Sequence, residues 1–198
     1  ADPHRALLEA LGLSDPPAAR LAAYLDTLAE WGRRINLTAA HTPAGRVQLL
    51  VASVLPAVGL LEPGTVLDVG SGNGSPGLVM ALLRDDLEVT LLEPRTRRWA
   101  FLREAARRSG PGRVQVLRGR HDTYTGAPAR SVTLRALALP LGDLAPLVAP
   151  GGRVVILGGR PHLEGPFEAE GDAGPGPGDI HLFRRLTADV SRGTPGGD

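Results

Sequence analysis

Residues 66 to 78 read Val-Leu-Asp-Val-Gly-Ser-Gly-Asn-Gly-Ser-Pro-Gly-Leu, an apolar run passing directly into a loop with glycine at Gly70, Gly72, Gly74 and Gly77. Val66, Leu67 and Val69 suit a strand buried on both faces. The alternating glycines let the backbone turn sharply and approach a ligand with no side chain in between. Ser75 and Pro76 are placed to cap and open a following helix. A strand, a glycine loop and a helix in that order predict a sheet whose carboxyl edge holds a nucleoside cofactor. An acid two residues before the first glycine, without Gly-x-Gly-x-x-Gly spacing, separates the loop from the dinucleotide fingerprint.

The rest of the chain supports an α/β reading. Leu21, Tyr24, Leu25, Leu28, Trp31 and Ile35 recur at helical spacing within residues 17 to 35. A second apolar stretch, Val47 to Leu60, reads as helical until Pro56. Beyond the loop the pattern predicts helix 76–84, strand 88–93, helix 96–108, strands 114–118 and 131–135, helix 141–148 and strand 153–157. Strands alternating with helices imply right-handed crossovers and a parallel sheet. Residues 158 to 179, rich in Gly, Pro and acids, read as a mobile loop, and 181 to 186 as a last antiparallel edge strand. The expected organisation is one domain over residues 1–190, with a helical cap (1–60), a cofactor-binding core (64–158) and a short C-terminal part (159–190). Residues 191–198 read as a disordered tail.

At 198 residues and 42% hydrophobic content the chain can bury a full core. The absence of cysteine excludes disulfides and thiolate metal sites, and no metal is expected. No stretch has the apolar length of a membrane span, and the N-terminus has no secretion-signal pattern, so a cytoplasmic protein is expected. A net charge of +1 does not itself indicate a nucleic-acid partner. Its distribution is more telling: between Arg95 and Arg120 there are nine arginines against one acid, Glu104. Such a run either holds phosphates or forms a solvated face balanced by acids from elsewhere.

The Asp-x-Gly-x-Gly-x-Gly loop resembles the first motif of class I methyltransferases, which bind S-adenosyl-L-methionine. On that reading Asp68, Gly70, Ser71, Gly72, Gly74, Glu93, Pro94, His121 and Asp122 are the candidate cofactor-binding residues. Glu93 ends an apolar strand about 20 residues past the loop, where a carboxylate accepts from a ribose diol. Asp68 either orients loop amides, meets the cofactor ammonium group or acts as a structural cap. Asp122 either accepts from the adenine amino group or closes an Asx-turn. His121 reads as a wall or surface residue rather than a general base. Arg135 ends a buried strand, where a guanidinium needs a partner: a guanine edge, a phosphate, or Asp122 or Asp143.

Several segments together resemble the glucose-inhibited division protein B family, the 16S ribosomal RNA guanine-N7 methyltransferases. Trp31-Gly-Arg-Arg-Ile-Asn-Leu-Thr38 is similar to that family's Trp-Asn-x-x-Ile-Asn-Leu-Thr box. Leu67-Asp-Val-Gly-Ser-Gly-Asn-Gly-Ser-Pro-Gly77 is similar to its glycine loop, Arg97-Arg-Trp-Ala-Phe-Leu102 to its basic pair before Phe-Leu, and Leu134-Arg-Ala136 to its Ser-Arg-Ala. The likeness spans residues 5 to 158. It implies a class I methyltransferase Rossmann-like fold with an N-terminal helical extension, and small-subunit ribosomal RNA as partner. It also implies Asn36 and Arg135 as catalytic residues, and Arg120 and Arg135 on the RNA side.

The chain departs from the family where the substrate is expected. His-x-x-Asp-Ser becomes Leu50-Val-Ala-Ser53, Lys-Gly becomes Gly158-Gly159, and Gly-Phe-Pro-Gly becomes Gly74-Ser75-Pro76-Gly77. The readings are therefore a ribosomal RNA enzyme, a diverged methyltransferase acting on a small molecule or another RNA, and a silent binding module. Guanine N7 carries an in-plane lone pair and no proton, so its methylation requires no general base. Asn36 is expected to face the acceptor, with Trp31 and Ile35 packed as core.

Overall fold

The computed structural model describes residues 2–110, 112–159, 161–172 and 180–187. A helix absent from the sequence reading, α1 (Pro3–Ala10), is capped by Asp2, whose carboxylate accepts from the amides of His4 and Arg5. It is followed by α2 (Pro17–Trp31), whose Leu21, Tyr24, Leu25 and Leu28 are buried as their spacing requires. The stretch from 43 is less regular than expected. A short α3 (Pro43–Arg46) runs into a π-helical segment (Val47–Ala52), and a separate short α4 (Leu55–Val58) carries Pro56 in its first turn. Proline can open a helix but cannot continue one, which accounts for the break.

The core is a seven-stranded sheet. In chain order the strands are β1 (Gly64–Val69), β2 (Leu87–Leu92), β3 (Val114–Leu117), β4 (Ala129–Arg135), β5 (Val148–Leu157), β6 (Phe167–Asp172) and β7 (Ile180–Arg185), arranged β3-β2-β1-β4-β5-β7-β6. The first five pair in parallel, and β7 and β6 add antiparallel. Two helices, α5 (Gly77–Leu83) and α6 (Thr96–Ser109), cross on the same side as α2, where Trp31 meets Phe101 edge to face at 6.0 Å. The other face is covered by a 3-10 segment (Leu141–Leu147) rather than the expected helix; Pro146 within it lacks the amide that an α-helical bond would use.

Two assignments at the far edge are corrected. β6 lies inside the segment read as a mobile loop, anchored by buried Phe167 and by Glu170, which pairs with Arg153 and Arg184. β7 is antiparallel as expected, but it is not the edge, because β6 pairs along its outer side. Residues 173–179 of that loop, and the tail 191–198, lie outside the described residues. Among the described residues no helix is long and apolar enough to cross a membrane.

The start of α5 fixes the loop. A Cβ on Gly77 would lie 2.5 Å from Asp68 Cβ and Cγ, so the helix can begin against the end of β1 only with glycine there. The buried Asp68 accepts at Oδ1 from Thr133 Oγ1 at 2.6 Å, and its Oδ2 has no hydrogen-bond partner among the described residues. Burial pushes its carboxyl up to about 6; the Thr133 bond opposes this and Glu93 adds repulsion. Ser75 is not the helix cap: buried beneath the loop, its hydroxyl donates to Leu50 O at 2.8 Å.

Overpacking a rigid site of this kind costs roughly 1–3 kcal/mol, or about 2–12 °C in melting temperature for a chain of this size. Gly77→Ala should show that loss in a thermal melt, and an unchanged midpoint would contradict the close approach. Asp68 gives a pH signature. Its folded carboxyl titrates near 6 and an unfolded one near ~3.9, so the folded chain holds the extra proton between these values. Its contribution is most favourable below about pH 4 and is lost as pH rises through about 6. Wild type should lose about 2–3 kcal/mol between those limits relative to Asp68→Asn. Parallel pH profiles in chemical denaturation would contradict this.

Candidate active site

Where β1 and β2 leave the sheet side by side, the glycine loop hangs from the end of β2. Leu92 O accepts from the amides of Gly70 at 2.9 Å and Ser71 at 3.0 Å. Glu93 completes the attachment: Oε2 accepts from the Gly72 amide at 2.8 Å, and Oε1 from the Arg95 amide at 2.8 Å. Glu93 is 3% exposed, so these charge-assisted bonds form away from competing water. Gly70, Gly72 and Gly74 have φ of +69°, +54° and +93°, a region that other residues rarely adopt.

The loop forms one wall of a cleft of about 500 Å³. Gly70, Ser71, Gly72, Glu93, Pro94, Arg120, His121 and Arg135 all line it, together with Arg95 and Arg98. A Cβ at Gly70 would come within 3.0 Å of Leu137 Cδ2, and one at Gly72 within 3.6 Å of Arg98 Nη1, so bare backbone is what the cleft presents. Its volume is that of a small-molecule site.

Four expected residues stand outside the cleft lining. Asp68 lies buried behind the loop on Thr133. Gly74 faces inward, 3.1 Å from Tyr24 and 3.3 Å from Leu78 as measured from a built Cβ, so its role is packing. Asp122 is exposed and paired with Arg120 at 3.2 Å, in a single 3-10 turn (His121–Thr123). Asn36 is exposed and borders an adjoining hollow, with only its carbonyl engaged, by Arg98 at 3.3 Å. Trp31 and Ile35 beside it are half-buried against the core.

Arg135 has neither of the acids considered for it. Its Nη1 donates to Ser75 Oγ at 2.8 Å, and its Nη2 to Leu49 O at 3.0 Å and Ser53 Oγ at 2.8 Å. All three acceptors are neutral, and burial pulls the guanidinium down from its ordinary value. It thus pins the π-helical segment and the end of the loop to the tip of β4, and two of its five N–H groups are left over.

The arginine run divides between the two readings of it. Arg107, Arg108, Arg113 and Arg120 pair with Glu104, Glu30, Glu88 and Asp122. Arg95 and Arg98, which line the cleft, form no ion pair among the described residues. Sequence reasoning missed Asn73. Its Nδ2 donates to Leu37 O at 3.1 Å and its Oδ1 accepts from the Ser75 amide, stapling the 36–38 segment to the loop. Tyr24 adds a second tie through its hydroxyl to Asn73 O at 2.8 Å. A lone amide among glycines was the available signal. Leu49 and Leu137, exposed at the cleft, gave none.

Residues 18–166 match the GidB family, described as rRNA small subunit methyltransferase G. The ribosomal RNA small subunit methyltransferase G of Halorhodospira halophila is 38% identical over 75% of this chain and 72% of its own length. That of Neisseria meningitidis serogroup C is 35% identical over 94% of this chain and 89% of its own. Among solved structures, TrmN from Thermus thermophilus superposes with a TM-score of 0.53 at 22% identity, over 68% of this chain and 47% of that one, a likeness of fold. With a glycine loop hung from β2 inside the matched span, and identity at this level over nearly the whole chain, the protein belongs to the GidB family.

Proposed function

We propose that this protein methylates N7 of a guanine in small-subunit ribosomal RNA, with S-adenosyl-L-methionine as the methyl donor. The observation that carries this reading is the cleft: positive-φ glycines at the carboxyl edge of a parallel sheet, a buried carboxylate on one side and arginines at the rim, in a chain of this family. The residues fit the donor. Bare backbone at Gly70 and Gly72 gives a nucleoside close access, and each Glu93 oxygen keeps a lone pair for a ribose hydroxyl beyond the amide that it already holds. When bound, the donor supplies an electrophilic methyl carbon on a sulfonium.

The chain contributes position rather than proton transfer. Guanine N7 has no proton to remove, so the cleft needs no base, and Glu93 is committed to two amides. Rate then depends on holding N7 in line with the methyl carbon at near-attack distance. Arg135, clamped by three neutral acceptors, fixes the wall between the loop and the tip of β4 and acts as a positioning residue. Arg95, Arg98 and Arg120 sit where phosphates of a folded RNA would be gripped, and such contacts dominate RNA affinity. The backbone carbonyl of Asn36 accepts from Arg98 and holds that side chain at the rim.

The purified protein should transfer a methyl group to guanine N7 in undermodified small-subunit RNA or particles. With S-adenosylhomocysteine at saturation, Arg120→Glu should weaken RNA binding and reduce its salt slope by about 1. Normal cofactor binding without N7 transfer by the wild type would overturn the acceptor. An unchanged salt slope would remove Arg120 from the RNA surface.

A further inference from the structure

A second cavity of about 590 Å³ opens beside the cleft and shares Ala136, Leu137 and Leu139 with it. Its described lining is mainly apolar. Gly158 and Gly159, just past β5, line it with φ of +74° and +81°; a Cβ on either would meet nothing within 4 Å. Bare backbone there lets a ligand approach closely.

The ionisable side chains in the described lining are His162 and Glu164. Glu164 Oε1 accepts from the Gly142 amide at 3.3 Å, which turns the side chain toward the start of the 3-10 segment. The carboxylate is exposed and forms no ion pair among the described residues.

We propose that this second cavity is the subsite for the acceptor base, and that Glu164 reads the Watson–Crick edge of guanine. This rests on the guanine-N7 reading given above. Guanine presents N1–H and the N2 amino group as two adjacent donors, which a carboxylate accepts together. Adenine presents an N1 lone pair there and is repelled. N7 lies on the opposite edge of the fused ring, so a base held at Glu164 directs N7 back across the shared wall toward the cleft. In the transfer, the N7 lone pair forms the new nitrogen–carbon bond while the carbon–sulfur bond breaks, sulfur keeping its electron pair. No proton moves, and the base becomes a cation. Positive charge grows on the ring as the bond forms, so a carboxylate at its far edge favours the transition state over the neutral base.

The test uses the full chain with S-adenosylmethionine and small-subunit RNA in which the methylated guanine, mapped with the wild type, is replaced by inosine, which lacks the N2 amino group. Wild type should lose at least tenfold in kcat/KM on the inosine RNA. Glu164→Ala should lose at least tenfold on guanine and treat the two RNAs alike, with Glu164→Gln in between. Calorimetry with 7-methylguanosine monophosphate, in the presence of S-adenosylhomocysteine, should show wild type preferring it to 7-methylinosine monophosphate and Glu164→Ala showing no preference. Active wild type with the same guanine-to-inosine ratio in Glu164→Ala overturns the subsite alone. Wild type that methylates no guanine N7 overturns the acceptor and this proposal with it.

Discussion

The geometry of the site depends on three backbone amides being held by the end of one strand. Gly70 and Ser71 donate to Leu92 O, and Gly72 donates to the buried Glu93 carboxylate. Adjacent parallel strands β1 and β2 stay in register to Val69 and Leu92, and both then leave the sheet. An unsupported loop at that point would leave buried amides without acceptors, each costing on the order of 1–3 kcal/mol. The attachment resolves this and fixes the open backbone that a nucleoside needs. Gly77 completes the constraint, because α5 must start directly against Asp68.

Around this loop the N-terminal helical region acts as a clamp. Tyr24, Leu37 and Leu50 each bond to loop residues 73 to 75, and Arg135 joins Ser75 to Leu49 and Ser53 from the other side. Leu49 lies within the π-helical segment and Ser53 directly follows it. Arginines line the first cleft, and Glu164 lines the cavity beside it.

What could be read from sequence was local. The glycine loop and Glu93 declare themselves through short-range pattern, since φ and strand endings are set by a few neighbouring residues. Arg135 was visible as an anomaly at a strand end, but its partners lie 60 to 86 positions away and follow no spacing. Ser75 looked like a helix cap because Ser-Pro usually is one; burial beneath Leu50 took its hydroxyl instead. β6 escaped because Phe167 is its only large apolar residue, and Glu170, pairing with both Arg153 and Arg184, does the rest. Asn36 sits in a recognisable box, but its orientation depends on how that segment meets Asn73 and Arg98.

The central claim is that Glu93 both holds the loop and receives the cofactor ribose, and calorimetric titration of S-adenosylhomocysteine tests it most directly. Hydrogen bonds to a charged group contribute about 1.5–3 kcal/mol each, so Glu93→Ala should weaken binding by roughly 100-fold or more. Glu93→Gln, which keeps one carbonyl acceptor, should fall between it and the wild type. Binding of wild-type strength in Glu93→Ala, with the protein folded, would contradict the account.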